Sequence, residues 1–339
     1  MQNWHPDYHQ KIKQNYRLRQ AITRAIRTWF DGQDFLEVDT PILQHAAPPE
    51  VHLQPFVTEI ISPDGQARTQ YLHSSPEMAM KKLLVAGEER IYQICHVFRN
   101  REGSPQHRPE FSLLEWYRTG GDLPQMAGDA TALIQTAARA SQCQNFRFND
   151  MNCDPFAPML HLTVAEAFDQ YAGIDVLATA PDPLHPDFEL LARAAEAAGC
   201  PAHEGDDWES LFFRIMMARI EPFLGQDRIC FLSHYPLPLA ALAARDPADP
   251  RVALRAEIYA SGMELANGFV ELTDATEQRQ RLLADQSRRA ALYGTLTPID
   301  EDFLAALDYG MKPAMGMALG FDRLVMLCCG AEDIGQISY

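Results

Sequence analysis

The chain lacks any apolar run long enough to cross a membrane, and its first residues do not have the form of a signal peptide. It also lacks an ordered set of cysteines: the seven present are odd in number, scattered, and never spaced as CxxC. That pattern argues against a disulfide scaffold and a zinc site, and it points to a reducing cytoplasm. His161, His185, His203 and His234 are equally dispersed, with no metal-ligand spacing. Positive charge is scarce. Lys and Arg number 29 against 46 Asp and Glu, a net charge of −17, whereas a general nucleic-acid binder is basic. Lys11, Lys13, Arg17 and Arg19 form the densest basic cluster, on a segment apolar enough to be packing. Repeats and low-complexity tracts are missing as well. What remains is an acidic globular chain of 339 residues, long enough for one large domain or two small ones.

The densest chemistry lies between Phe98 and Arg118. Arg90–Val97 is rich in β-formers, a turn-prone charged stretch follows, and Phe111–Tyr117 is β-prone again. The pattern predicts two antiparallel strands joined by a long loop. Side chains alternate along a strand, so Phe111, Leu113, Glu115 and Tyr117 share one face. That face offers an aromatic plate, a carboxylate and a phenol. The loop adds Arg99, Arg101, His107 and Arg108, which suit a polyphosphate.

Upstream, Tyr8–Gln33 has helical spacing, with Ile22, Ile26, Trp29 and Phe30 on one face and Gly32 as the stop. Phe35–Leu43 is expected to follow as a strand ending at Pro41. Tyr71–Glu77 reads as a strand running into a helix, with Ser75 as N-cap, Pro76 in the first helical position and Glu77 in the first turn. Glu77 therefore suits the helix dipole as well as a ligand. Downstream, helices are expected over Leu123–Cys143, from Thr163 (in a capping box with Glu166) to about Ala172, over His185–Ala198 and over Trp208–Phe223. Residues 175–186 read as irregular. Ile229–His234 is a short strand. Arg251–Ser261 and Met263–Leu272 read as an antiparallel pair turning at Gly262. Asn267, Phe269 and Glu271 share a face by parity, and Glu264 joins them only through a β-bulge. Asp274 should cap a long helix running to about Gly294. Gly316–Leu319 is a strand of small residues, and Gly320 opens a helix whose N-terminus faces anions, with Arg323 in its first turn.

Three of these stretches, in this order, resemble the three motifs of class II aminoacyl-tRNA synthetases. Helix plus Phe35-Leu36-Glu37-Val38-Asp39-Thr40-Pro41 is similar to motif 1, Phe98-Arg99 through Glu115 to motif 2, and Gly316 through Asp322-Arg323 to motif 3, with Ala318 at its second glycine. The resemblance covers nearly the whole chain. It implies an α+β class II catalytic domain over 1–339: an antiparallel β-sheet flanked by helices, with a helical insertion at about 175–225. Ser75-Pro76-Glu77, Glu115-Trp116-Tyr117 and Glu264-Leu265-Ala266-Asn267-Gly268-Phe269 resemble the lysyl-tRNA synthetase branch. Only about thirty residues precede motif 1, so no anticodon-binding domain is expected. The pattern is most similar to truncated paralogues that attach lysine, preferably (R)-β-lysine, to elongation factor P. These expectations disfavour tRNA as the partner.

The resemblance also implies roles. Arg99 and Arg323 would be catalytic, holding the phosphates of ATP. Phe111 would stack on adenine, while Asn100, Arg101, Glu102, His107, Arg108, Leu265 and Gly320 complete the nucleotide site. The chain departs from the motif 2 pattern at Arg101, where an acidic residue is usual, with Glu102 following. The loop register therefore stays open. Glu257 and Glu264 match the pair that binds Mg²⁺. Ser75, Pro76, Glu77, Tyr117, Asn267 and Glu271 match the amino-acid pocket, and motif 1 implies a homodimer.

Overall fold

The computed structural model describes residues 4–47, 50–183, 185–240 and 242–337. What was read from the outermost residues, and from Leu184 within the irregular 175–186 stretch, lies outside the described residues. From the start of the chain, the elements are α1 (Pro6–Asp31), β1 (Leu36–Glu37), β2 (Leu43–Gln44), β3 (Phe56–Ile61), β4 (Ala67–Leu72), α2 (Glu77–Ala86), β5 (Arg90–Phe98) and β6 (Glu110–Thr119). Next come α3 (Leu123–Ser141), β7 (Phe146–Phe148), β8 (Met151–Asp154), β9 (Leu160–Thr163), α4 (Val164–Ala172), α5 (Phe188–Ala197) and α6 (Trp208–Ile215). Then follow β10 (Asp227–Arg228), β11 (Cys230–Pro236), β12 (Val252–Ala260), β13 (Met263–Val270), α7 (Ala275–Tyr293), α8 (Glu301–Gly310), β14 (Ala314–Gly320) and α9 (Phe321–Cys329). This is the expected α+β class with mainly antiparallel pairing. No helix among the described residues is long and apolar enough to cross a membrane. The chain divides into two units, residues 1–122 with 273–339, and residues 123–272.

In the first unit the strands run β1-β5-β6-β14. β5 and β6 pair antiparallel from Arg90↔Arg118 to Phe98↔Glu110, and β14 pairs with β6 from Ala314↔Thr119 to Gly320↔Leu113. Cross-strand partners share a face. Gly316, Ala318 and Gly320 therefore lie beside Tyr117, Glu115 and Leu113, and their small side chains leave that face open. Helix α1 buries Ile22, Ile26 and Phe30, and the Phe30 ring stacks on Tyr92 at 4.0 Å. The same helix sends Arg19 to the buried carboxylate of Asp322, which also accepts the Ser112 backbone N–H at 3.0 Å. Arg19 Nη2 donates to Ser112 Oγ at 2.8 Å. The first turn of α9 is thereby tied to β6 and α1.

Phe35–Leu43 is not one strand. It forms β1 and β2, two residues each, which leave for different sheets: β1 pairs with β5 and β2 with β4. Ser75 is not the N-cap of α2 either; Pro76 is, while Ser75 Oγ accepts from Glu77 N at 3.0 Å.

In the second unit the strands run β13-β12-β11-β9. Ser261 and Gly262 close the β12–β13 hairpin, both with positive φ (51° and 70°), as a tight two-residue turn requires. Gly225 backs onto this turn, accepting from Ser261 N at 2.8 Å. A Cβ there would lie 2.6 Å from the Ala260 backbone, so only glycine permits the approach. The expected capping box is present, with Thr163 and Glu166 exchanging hydrogen bonds at the start of α4. α4, α5 and α6 bury Phe168, Leu191, Leu211 and Phe212 in one core. Trp208–Phe223 is less regular than expected: α6 ends at Ile215, a wide π-type turn spans Met216–Ile220, and Pro222 sits in a final short turn.

Candidate functional site

The centre of the first unit's site is Glu115 on β6, fully buried. Its Oε1 accepts from the Ser75 hydroxyl at 2.6 Å and its Oε2 from the Tyr117 phenol at 2.9 Å. Strand alternation brings Tyr117 to the same face, and the turn into α2 delivers Ser75. Burial and then the charge of Glu77 push the Glu115 carboxyl up to about 8. Glu77 in turn pairs with the buried Lys81, one helical turn on, at 2.5 Å. Ser75, Glu77 and Tyr117 thus gather around one carboxylate, with Pro76 buried at the head of α2. The sequence placed Glu115 on this face by alternation but did not assign it to the amino-acid pocket. Its parity with Tyr117 was the available signal that it belongs to the site.

A pocket opens beside this cluster, lined by Glu50, Ser75, Glu77, Gln286, Arg289 and Asp300 among others. Glu50 and the buried Arg289 did not emerge from the sequence. Arg289 comes from α7 and donates to the Leu53 carbonyl. Asp300 is held by Lys82 at 2.7 Å and caps α8.

The loop between β5 and β6 brings a second group together. The Arg99 guanidinium lies over the Phe111 ring, 5.1 Å from its centroid. Arg99 Nε is buried and has no hydrogen-bond partner among the described residues, a donor suited to an incoming anion. His107 Nε2 meets Arg323 Nη2 at 2.5 Å, and its Nδ1 meets Ser104 Oγ at 2.6 Å. Burial first and the Arg323 charge second hold this imidazole below its usual value, so it is neutral and accepts from Arg323. Gly320 N-caps α9, and no side chain caps it among the described residues. The first amides of α9 are therefore available to an anion. Asn100 N bonds Gln54 O at 2.8 Å, Arg101 is exposed with φ 63°, and Glu102 is partly buried. Arg108 lies near Gly335. The tip of the loop is anchored by Ile334 N donating to Pro105 O.

In the second unit, β12 and β13 present a separate acidic face. A bulge at Leu265 shifts the register, so Tyr259 opposes Glu264 while Glu257 opposes Asn267. This is the bulge that parity demanded, and it aligns Glu257, Tyr259, Glu264 and Asn267. Glu257 is buried, accepting from Arg255 Nη2 and the Tyr259 phenol, both at 2.7 Å. Asn267 Oδ1 is buried without a hydrogen-bond partner among the described residues, and Glu271 is buried at the end of β13. No cluster of three or more metal-ligating side chains occurs among the described residues. Two carboxylates on one face suit Mg²⁺ that arrives with phosphate and water ligands, not a metal caged by protein alone.

The sequence matches the family described as tRNA synthetases class II (D, K and N) over residues 4–339. The chain belongs to this family, and membership implies use of ATP. Among curated relatives it is similar to the elongation factor P–(R)-β-lysine ligase of Klebsiella pneumoniae strain 342, with 38% identity over 94% of this chain and 92% of that protein. It is likewise similar to the ligase of the same name from Pectobacterium carotovorum, at 39% with the same coverage. The Haemophilus influenzae ligase is 37% identical over 99% of this chain and 97% of its own length.

The state of Glu115 has a measurable consequence. Its ordinary value is 4.5, and in the fold it is about 8. Between these values the folded chain keeps a proton that the unfolded chain has released. Stability must therefore fall as pH rises through this window and level off above it. Urea denaturation of the ligand-free protein from pH 5 to 8.5 should show this decline, and Glu115→Gln should flatten most of it. An equally steep decline in the variant would assign the proton elsewhere.

Proposed function

We propose that the chain is an ATP-dependent ligase that activates (R)-β-lysine, or lysine, as an adenylate and transfers it to a lysine side chain of elongation factor P. The observation that carries the reading is similarity to ligases of that name over 94% of this chain and 92% of theirs. The acidic cluster supports a cationic amino acid. Glu77, Glu115 and Tyr117, with Ser75 and Pro76, form the first unit's proposed amino-acid pocket, in which carboxylates and a phenol can take ammonium groups, and the resemblance gives Asn267 and Glu271 of the second unit an amino-acid-binding role as well.

In this reading Arg99 and Arg323 hold the phosphates of ATP, and Phe111 offers its ring to adenine. Asn100, Arg101, Glu102, His107, Arg108 and Gly320 contribute to nucleotide binding in the first unit, and the resemblance gives Leu265 of the second unit a nucleotide-binding role as well. Glu257 and Glu264 would hold Mg²⁺, which when bound neutralises phosphate charge. The amino-acid carboxylate attacks the α-phosphorus, and pyrophosphate leaves. Charge developing on the phosphates is met by the two guanidinium groups, already oriented by Phe111, His107 and the Asp322 anchor. The acceptor amine then attacks the activated carbonyl, giving an amide and AMP. No enzyme nucleophile is required.

A symmetric homodimer is part of the proposal. Leu36, Ile42 and Leu43, all in the motif 1 region, are exposed apolar side chains. Sedimentation at micromolar concentration should give twice the chain mass of 38.2 kDa, and a monomer there rules the dimer out.

Arg99→Ala and Arg323→Ala should each slow ATP–pyrophosphate exchange by roughly 30- to 1000-fold, the loss of about 2–4 kcal/mol of phosphate stabilisation. Exchange within threefold of the parent would defeat these roles. The acceptor is tested with ATP, Mg²⁺ and labelled lysine or (R)-β-lysine, supplying unmodified elongation factor P in one reaction and total tRNA in another. Label should appear on the factor. Label on tRNA alone would replace this reading with a tRNA-charging enzyme.

A further inference from the structure

The stripe of α1 that buries Ile22, Ile26 and Phe30 continues toward its start through Arg19, Asn15 and Tyr8, at helical spacings of three, four and seven. Its apolar end packs in the core, while its polar end grips other parts of the first unit. Arg19 reaches Asp322 at the start of α9. Tyr8 Oη donates to the Gly335 carbonyl and Asn15 Nδ2 to the Gln336 carbonyl, each at 3.0 Å. These two carbonyls belong to a short turn, Ile334–Gln336, in which Asp333 Oδ1 accepts from Gly335 N at 2.6 Å.

The same turn meets the loop between β5 and β6. Ile334 N donates to Pro105 O at 2.8 Å. Gly335 lets Arg108 approach, since a Cβ there would collide with Arg108 Nη2. Pro105 sits at the tip of the loop, inside a turn whose end residues, Ser104 and His107, exchange backbone hydrogen bonds at 3.1 Å. Ser104 Oγ and His107 Nδ1 close that turn again at 2.6 Å. The tip is thus stiff within itself. Its stem is less constrained: Arg101 is exposed at φ 63°, and Gly103 has open space where a Cβ would stand. A stiff tip on a loose stem moves as one body unless it is held from outside. Its place decides where His107 meets Arg323 and where Arg108 lies.

We propose that Tyr8 and Asn15 are positioning residues for ATP, acting through the Ile334–Gln336 turn to hold the loop between β5 and β6 in place, a role that rests on the nucleotide site given under Proposed function. α1 then fixes both sides of that site, the start of α9 through Arg19 and the loop through Tyr8 and Asn15.

The test compares Tyr8→Phe, Asn15→Ala and the double variant with the parent, all as the full-length chain. Alanine favours helix more than asparagine does, so α1 itself is not weakened. Thermal melts establish that the variants fold. Hydrogen exchange of the ligand-free proteins reads the loop directly. Amides of 101–108 and 333–337 should exchange about threefold faster or more in the double variant, with those of β5 and β6 unchanged. ATP–pyrophosphate exchange reads the consequence. KM for ATP should rise about three- to tenfold in each single variant, the worth of one hydrogen bond, and further in the double variant. KM for the preferred lysine and kcat should stay within about twofold, a split that general loosening of the fold would not give. Unchanged loop exchange in the double variant, an unchanged KM for ATP, or an equal rise for both substrates overturns the positioning role. Absence of pyrophosphate exchange with either lysine in the parent overturns the underlying reading and the ATP role with it, while hydrogen exchange still decides whether α1 holds the loop.

Discussion

Glu115 is the constraint on which the first unit's site depends. A carboxylate on a central strand, fully enclosed, is tolerated only if its oxygens are satisfied and its charge is managed. Ser75 and Tyr117 satisfy the oxygens. This fixes the turn into α2 against β6, because Ser75 must reach across while also receiving Glu77 N. Glu77 then cannot leave the neighbourhood, and its like charge would be ruinous without Lys81 beside it. An apolar residue at position 115 would relieve every one of these demands. The fold retains instead an arrangement that gains most when a cation arrives, which is the behaviour expected of a binding site and not of a core.

The proposed phosphate side is organised differently. Here Arg99 lies over the face of Phe111 and Arg323 meets the imidazole of His107. A ring or a neutral imidazole orients a guanidinium and leaves its charge to the anion. The strong ion pair in this region, Arg19 with Asp322, lies one residue from Arg323 and serves to fix the start of α9.

What the sequence revealed was whatever depends on local periodicity. Alternation along Phe111–Tyr117 put Glu115 and Tyr117 on one face, and their hydrogen bond bears this out. Parity required a bulge to bring Glu264 into line, and it occurs at Leu265. The Thr163 capping box and the Asp274–Gly294 bounds of α7 follow from side-chain chemistry within one turn. Features that need distant partners were hidden. Arg19 and Asp322 are 303 residues apart, and Arg289 meets Leu53 across 236. Glu50 gives no local signal at all, since its significance comes only from the pocket it lines. The break of Phe35–Leu43 into two short strands was hidden for the same reason, since β1 and β2 take partners, β5 and β4, in different sheets.

Ala318 joins the two sides of this account. Its register partner is Glu115, so its methyl group stands beside the buried carboxylate on the face where motif 3 ordinarily has glycine. Gly316 and Gly320 keep the backbone of β14 approachable on either side. A methyl at this one position narrows the space next to Glu115 without changing any charge. In the proposed pocket, charge would favour ammonium groups equally for any isomer that can reach them. Shape must therefore separate one lysine isomer from another, and a difference of a single methyl is worth about 1–3 kcal/mol in such a pocket. In the proposed pocket, charge at Glu115 and Glu77 would set the class of substrate, while the methyl of Ala318 would set which member of that class fits.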